Sequence, residues 1–551
     1  MSLLLCIGII SERLVADSVR CDEGRVLTID DLPDDDLLAI FDFYVVKSYQ
    51  RLGFGMLDGL SIRRKTESWQ SLVHVCRRWR CLVFASPRRL NLQLYYEPEK
   101  SARTRKSLDV WPALPLLVKG QVSESSVYNV IAALKHNDRI RQINLGIYFR
   151  TTPPIDGLWT AMEVPFPELV ALTLSLLSFS SVLHDSFLGG SAPRLRYLCL
   201  HAIPFPGLPK LLLTATHLVE LHLHNIPHSG YISPEAMATC LSMLTSLEEL
   251  ELEFKSLRSY PGPRSRRPFP PTRSALPTLT IFSFKGLNEY LEEFVARIDA
   301  PQLYRLSTTL FNDIDFSTSE LNQFIGRTQT FGAYDEAHLI FPSYSALVRL
   351  RQSHPEPSDR RMLEVKISGQ GRGRQLSTLA QICTLSLRLL LAVENLYIDA
   401  SPSSPFVWGD DAIENTEWLD LLLPFTAVKN LHLSAPISPQ IALVLQELTG
   451  GRIAEVLPAL QNIFLEGLQP SEPVQKGIAR FIFARPLRNY RVAISVWHGE
   501  LESCGTTVTW RRLMLDCYPS SFSLMFRVAV IFFSFVIALL KLWKKHRIGT
   551  R

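Results

Sequence analysis

The sequence predicts an α/β solenoid of parallel strands, preceded by a small all-α module and followed by an apolar helix. Three observations carry that prediction: a leucine template recurring every 23 to 35 residues, two amphipathic helical stretches near the amino end, and a nineteen-residue apolar run near the carboxyl end. Of the 551 residues 47% are apolar and 20% charged, which excludes a disordered or fibrous chain and suffices for a large core. A net charge of +5 over this length is too small to imply nucleic acid as a partner.

Residues 1–26 read as an N-terminal tail. No Lys or Arg precedes the apolar Leu3 to Ile10, and Ser11-Glu12-Arg13 is a poor cleavage site, so the pattern is not that of a signal peptide. The nine Cys are odd in number, scattered and never spaced C-x-x-C, and no Asn begins an N-x-[ST] sequon. A cytoplasmic or nuclear chain with reduced thiols is expected.

Residues 27–94 form the helical module. Leu32-Pro33 opens a helix whose first turn carries Asp34, Asp35 and Asp36, where carboxylates suit the exposed amides and the helix dipole. Leu37, Ile40, Phe41 and Tyr44 follow at helical spacing and give one apolar face. After a long link, Trp69, Leu72, Val73, Val75, Cys76, Trp79 and Val83 trace a second amphipathic stretch, with Arg77, Arg78 and Arg80 outside. A core this small usually leans on a partner.

Residues 95–135 read as a linker or cap, and 136–500 as an irregular repeat array. The template L-x-x-L-x-L occurs at Ile140/Ile143/Leu145, Leu169/Leu172/Leu174, Leu195/Leu198/Leu200, Leu218/Leu221/Leu223, Leu247/Leu250/Leu252 and Leu279/Phe282/Phe284, then in a degraded copy at Leu303/Leu306/Thr308. It returns at Met362/Val365/Ile367, Val393/Leu396/Ile398, Val428/Leu431/Leu433, Leu460/Ile463/Leu465 and Leu487/Tyr490/Val492. The gap between 303 and 362 is two periods long, so the copy number there stays open, with Tyr334/Ala337/Leu339 as a faint candidate.

Positions four and six of each template point to one face of a short strand, and only stacking of many copies buries that face. A returning helix is legible at 233–246: Ser233 as cap, Pro234 in the first turn, then Met237, Leu241 and Leu244 as a stripe. The Pro- and Arg-rich residues 255–277 are expected to be a solvated loop.

The residues between the template leucines describe the outer face. They make its centre acidic and rich in histidine, with aromatic residues at its flanks. A basic or hydrogen-bonding protein partner fits such a surface, and the candidate contacts are Tyr197, His222, His224, Glu249, Glu251, Glu253, Tyr397 and Phe464. A generic polar face that keeps the sheet soluble is the competing reading.

No nucleotide-binding, hydrolase, zinc-protease or kinase motif is present, and Gly369-Gln-Gly371-Arg-Gly373 lacks the context of a dinucleotide site. A non-catalytic chain without cofactor is expected. The histidines at 217, 222, 224 and 228 are the best metal candidates, but no Cys or Asp close in sequence completes a tetrahedral set, so no metal site is assigned.

In the tail 501–551 the stretch from Phe522 to Leu540 has one charge, Arg527, and basic residues follow. Its helix, taken as 522–543, is long enough to span a bilayer at ~1.5 Å per residue. Basic residues at its end favour the cytoplasmic side, so a spanning anchor, an interfacial helix and a buried end-cap all stay open.

Two resemblances organise these readings. The repeat template resembles leucine-rich repeats, although Ile203, Ile226, Lys255 and Leu468 stand where that family usually has Asn or Cys. The segment LPDDDLLAIFDFYV with SLVHVCRRWRCLVFASPRRLNL resembles an F-box, and is similar to those of F-box proteins abundant in mushroom-forming fungi. The F-box resemblance implies binding to Skp1, and through it to a cullin, with Leu32, Pro33, Leu37, Ile40, Phe41, Val75 and Trp79 as the adaptor-facing or core surface. The chain would then be a substrate-recognition subunit of a ubiquitin ligase. The alternative is a membrane-associated repeat scaffold whose helices only cap the array.

Overall fold

The structure is a computed structural model describing residues 31–41, 72–85, 92–96, 115–148, 153–176, 182–256, 273–311, 319–332, 334–342, 345–352, 361–368, 372–385, 387–400, 415–448, 452–466, 472–484, 492–497 and 511–513. The tail at 1–26, the apolar run at 522–543 and most of the Pro/Arg-rich loop lie outside the described residues. Among the described residues no helix is long and apolar enough to cross a membrane. Two compact units divide the chain, Met1–Ile143 and Asn144–Arg551.

In the first unit a helix at 34–41 and the helix Arg77–Ala85 form a small core. Leu37 and Phe41 from the first, and Trp79 and Val83 from the second, are buried with Leu72 and Val73. The Phe41 and Trp79 rings lie 4.7 Å apart at a tilt of 57°, within the range of a favourable aromatic pair. Arg78 ties the helices together, reaching Asp34 at 2.6 Å and the carbonyl oxygen of Leu32 at 2.5 Å.

Strand β1 (Leu92–Tyr96) then pairs in parallel with β2 (Leu116–Val122), Leu92 opposite Leu116. The helix Val127–Leu134 follows, burying Val127, Val130, Ala133 and Leu134, and leads into β3 (Ile140–Ile147). Part of the expected linker at 95–135 is therefore a strand and helix of its own. It escaped the template because its strand, LLVKGQV, places apolar residues in a run rather than at the repeat spacing.

The second unit is an α/β solenoid. Its strands are β4 (Ala171–Leu176), β5 (Tyr197–His201), β6 (Glu220–Ile226), β7 (Glu249–Phe254), β8 (Ser274–Ala275), β9 (Ile281–Gly286), β10 (Ile298–Asp299), β11 (Arg305–Leu310), β12 (Glu336–Phe341), β13 (Ser345–Arg351), β14 (Met362–Ser368), β15 (Asn395–Ala400), β16 (Asn430–Leu433), β17 (Asn462–Glu466), β18 (Ala493–Trp497) and β19 (Arg511–Leu513). Strands β4, β5, β6, β7, β9 and β11 pair in parallel in chain order.

Burial alternates strictly along β4, β7 and β9, with Leu172, Leu174, Leu250, Leu252, Phe282 and Phe284 inside. Each such side chain contributes roughly 1.5–3 kcal/mol by leaving water. The degraded copy fits as well: Thr308 occupies a leucine slot with no exposed surface and donates its hydroxyl to the Glu364 carbonyl.

A backbone device repeats at the strand entrances. One carbonyl accepts two consecutive amides of the next repeat: Val170 O from Arg196 and Tyr197, Arg196 O from Val219 and Glu220, Val219 O from Glu248 and Glu249, Glu248 O from Thr280 and Ile281. The returning helix Pro234–Leu241 is also as its sequence implies, with Ser233 Oγ accepting the Ala236 amide and Met237, Leu241 and Leu244 buried.

The sequence and the structure part company between 303 and 362. Strand β11 pairs with β14, β14 runs antiparallel to β13, β13 antiparallel to β12, and β12 pairs in parallel with β15. The faint copy Tyr334/Ala337/Leu339 is real and buried, but two strands separate it from β11. Strand β13 carries SALVRLR, whose first four residues are all buried, and so has no template spacing.

Three smaller corrections follow from register. Arg305 faces Met362, so the template slots of β14 are Leu363 and Val365, two residues earlier than read; a two-residue slip keeps every side chain on its face. In β18 the residues opposite Ile463 and Leu465 are Ile494 and Val496, not Tyr490 and Val492. Within the expected loop 255–277, Ser274–Ala275 pairs with Ile298–Asp299 and Leu276 is buried, so its last residues are docked.

Candidate functional site

On the outer face of β5, β6 and β7 the register brings six of the eight sequence-selected contacts together. Tyr197, Glu220 and Glu249 lie opposite one another, and two residues on so do Cys199, His222 and Glu251. His201 lies opposite His224. This follows from the period of two: the leucines between these positions turn inward and leave the polar side chains on the other side.

The histidines and glutamates interlock. His222 Nδ1 lies 3.6 Å from Glu251 Oε2, and His224 Nε2 lies 3.2 Å from the same oxygen. His224 Nδ1 meets Glu253 Oε2 at 3.2 Å, and Lys285 pairs with the other oxygen of Glu253. The remaining nitrogen of His222 faces Glu249 at 3.7 Å and Glu220 at 3.8 Å, both beyond hydrogen-bonding reach. Tyr197 sets its ring edge-on to His222 at 5.4 Å.

Proton affinities on this face diverge. Burial holds His222 below the ordinary histidine value and raises Glu249 and Glu220, with neighbouring glutamates pushing the carboxyls further up. Burial also opposes charge on His224, but hydrogen bonds to Cys199 and Glu253 prevail and raise it overall. The bond from His224 draws Glu253 down to about 2 against its burial. Opposite tendencies on adjacent groups are what low dielectric and close pairing produce.

The other two selected residues, Tyr397 and Phe464, belong to a separate group. Matched positions on β12, β15, β16 and β17 put His338, Tyr397, His432 and Phe464 in one row. Their rings stack at centroid distances of 4.4, 4.2 and 4.4 Å, tilted by 5°, 15° and 13°. Beside them Asn430 donates to Asn395 Oδ1 at 2.8 Å and Asn462 donates to Asn430 Oδ1 at 2.7 Å. Tyr397 and Phe464, candidate contacts from the sequence, are thus members of a continuous stack, with the two histidines in it buried. Tyr397, His432 and Phe464 hold one repeat position on consecutive strands and can be aligned from the template, whereas His338 is hidden from it by the transposition of β12.

The seven residues selected in the helical module separate into two sets. Leu37, Phe41 and Trp79 are core, one of the two roles that the sequence left open for them: all three are buried, and the Phe41 ring packs against Trp79. Val75 is 58% exposed, Pro33 is exposed, and Leu32 and Ile40 are half-buried.

No family model matches this chain, and no curated protein matches it significantly. Among solved structures it is similar to the leucine-rich repeat-containing protein LegL7 from Legionella pneumophila, at 12% identity and a TM-score of 0.27, over 72% of this chain and 99% of that one.

A metal-binding geometry was also within reach of the sequence, but only through strand order. Cys199, His222 and His224 offer ligand atoms all within 4.8 Å of one another, and so do Glu220, His222 and Glu249. Cys199 stands 23 residues before His222 in sequence and directly opposite it across the β5–β6 ladder. The L-x-x-L-x-L register predicts that pairing once adjacent copies are aligned.

Proposed function

We propose that this chain is a non-catalytic substrate-recognition subunit of a Skp1–cullin–F-box type ubiquitin ligase. Its helical module would engage Skp1, and the outer face of the repeat sheet would hold a protein substrate. The observation that carries the reading is the exposure of Val75 and Pro33, with Leu32 and Ile40 half-covered, around a module whose own core is already filled by Leu37, Phe41 and Trp79. Apolar groups left outside a closed small core favour a partner that covers them.

The contribution to ubiquitin transfer would be proximity: a substrate held near a loaded enzyme experiences a high effective concentration. The His/Glu patch on β5–β7 supports a substrate surface of basic or hydrogen-bonding chemistry, with the aromatic row as a second patch.

Burial of Leu37 and Phe41 favours a second reading, in which the helices only cap a repeat scaffold, since a cap turns its apolar face inward. Co-purification with Skp1 separates the two. Wild type is expected to retain Skp1 and an Ile40→Asp/Val75→Asp variant to lose it while keeping its far-ultraviolet circular dichroism. Equal recovery from both variants, or none from either, favours the scaffold. Leu37→Asp would not serve, because a charge at a position with no exposed surface disrupts the module itself.

A further inference from the structure

We propose that the outer face of β5, β6 and β7 holds a zinc-class divalent cation, bound by Cys199, His222 and His224 with Glu251 as fourth ligand. The proposal is independent of the F-box reading.

Ligand chemistry is the first argument. One thiol, two imidazoles and a carboxylate are a donor set suited to tetrahedral zinc, and softer than the all-oxygen sets that calcium and magnesium take. The three Cys and His ligand atoms lie within 4.8 Å of one another. Glu251 lies outside that 4.8 Å set, but its Oε2 approaches His222 Nδ1 at 3.6 Å and His224 Nε2 at 3.2 Å, so a side-chain rotation would bring it in as the fourth ligand.

The scaffold is the second argument. All four residues sit on neighbouring strands in fixed register, with Cys199 opposite His222 and His222 opposite Glu251. Their positions are set by the backbone ladder and need no loop to fold around the ion. Cys199 is buried, and the two imidazole side chains are only 14% and 16% exposed.

The outer shell is the third. A metal-bound histidine usually donates its other N–H to a carboxylate, which fixes the ring and raises its basicity. His224 Nδ1 has that partner in Glu253, which Lys285 holds in turn. His222 Nε2 lies 3.7 Å from Glu249 and 3.8 Å from Glu220, beyond hydrogen-bonding reach, so neither carboxylate serves it in this way. Charge agrees with this: four carboxylates crowd around two imidazoles, with Lys285 at Glu253 and Arg305 near Glu249 as the counter-charges. A cation at Glu251 relieves repulsion that the two bases leave in place.

The test uses the full chain, stripped with a chelator and titrated with cobalt(II). Wild type is expected to bind one equivalent with visible d–d bands and a near-ultraviolet sulfur-to-cobalt charge-transfer band, both displaced by zinc. Cys199→Ser is expected to lose the charge-transfer band. His224→Gln is expected to weaken binding at least about ten-fold, and Glu253→Gln by about ten-fold, as for a group behind a ligand. Glu249→Gln is expected to bind as wild type. Absence of cobalt bands in wild type overturns the site, as does an unchanged charge-transfer band in Cys199→Ser, since the chain has eight other cysteines. Loss of binding in Glu249→Gln, with Cys199→Ser unaffected, overturns it in favour of the Glu220/His222/Glu249 trio.

Discussion

The ring of Tyr397 stacks on that of His432 at 4.2 Å, in the middle of a row that runs from His338 to Phe464. Burial holds His432 at about 4, and it lowers His338 as well. Both imidazoles are therefore neutral in the folded chain at neutral pH. Unfolding returns each to the ordinary value of ~6.5.

The sign of the pH dependence follows. Between pH ~6.5 and about 4 the unfolded chain binds protons that the folded chain refuses, so stability is present in full above the unfolded value and is lost as pH falls through this window. For His432 alone the loss amounts to roughly 3 kcal/mol. Denaturant midpoints measured from pH 7 to pH 4 should fall less steeply in His432→Phe, which keeps the stack and removes the titrating group. An identical slope in both proteins would contradict this account of the row.

The asparagine ladder gives a second expectation. Asn430 both donates to Asn395 and accepts from Asn462, whereas each end residue makes one of these bonds. Asn430→Ala should cost more than Asn462→Ala, by about 1 kcal/mol, the net worth of one hydrogen bond. Urea unfolding of the two variants measures the difference, and equal losses would show that the ladder bonds contribute nothing separately.

A pair of helical glycines supplies a third. A Cβ on Gly477 would meet the Ala442 carbonyl oxygen at 2.6 Å, so the helix Glu472–Ala484 approaches Ser438–Glu447 as closely as it does only because this position has no side chain. A Cβ on Gly326 would meet nothing within 4 Å. Gly477→Ala should destabilise by roughly 1–3 kcal/mol, and Gly326→Ala should stabilise by up to ~1 kcal/mol through helix propensity. Thermal melts of the two variants should move in opposite directions.

How much of this was legible in the sequence depends on whether the signal is local or needs strand order. The leucines at 172, 198, 221 and 250 announce their own burial, because period two and period repeat coincide there. Ser233 and Pro234 announce their helix through local backbone chemistry. The transposition of β12 and β14 is invisible for the opposite reason: Leu339 and Val365 carry the same apolar signal whichever strand lies beside them.

The site shows the same divide. His222 and His224 are selected by their spacing of two, but Cys199 joins them only through the ladder. In the helical module the apolar stripe identifies Leu37, Ile40 and Phe41 equally. Only the position of Trp79 tells that Phe41 turns toward the chain's own core while Ile40 stays partly outside.

The proposed Skp1 interface consists of the apolar groups outside the helical core. Its most direct measurement is isothermal titration of the intact chain with purified Skp1. The account predicts saturable one-to-one binding that Ile40→Asp/Val75→Asp abolishes and Cys199→Ser leaves unchanged. A folded wild-type chain that gives no binding heat and no complex on gel filtration would contradict it.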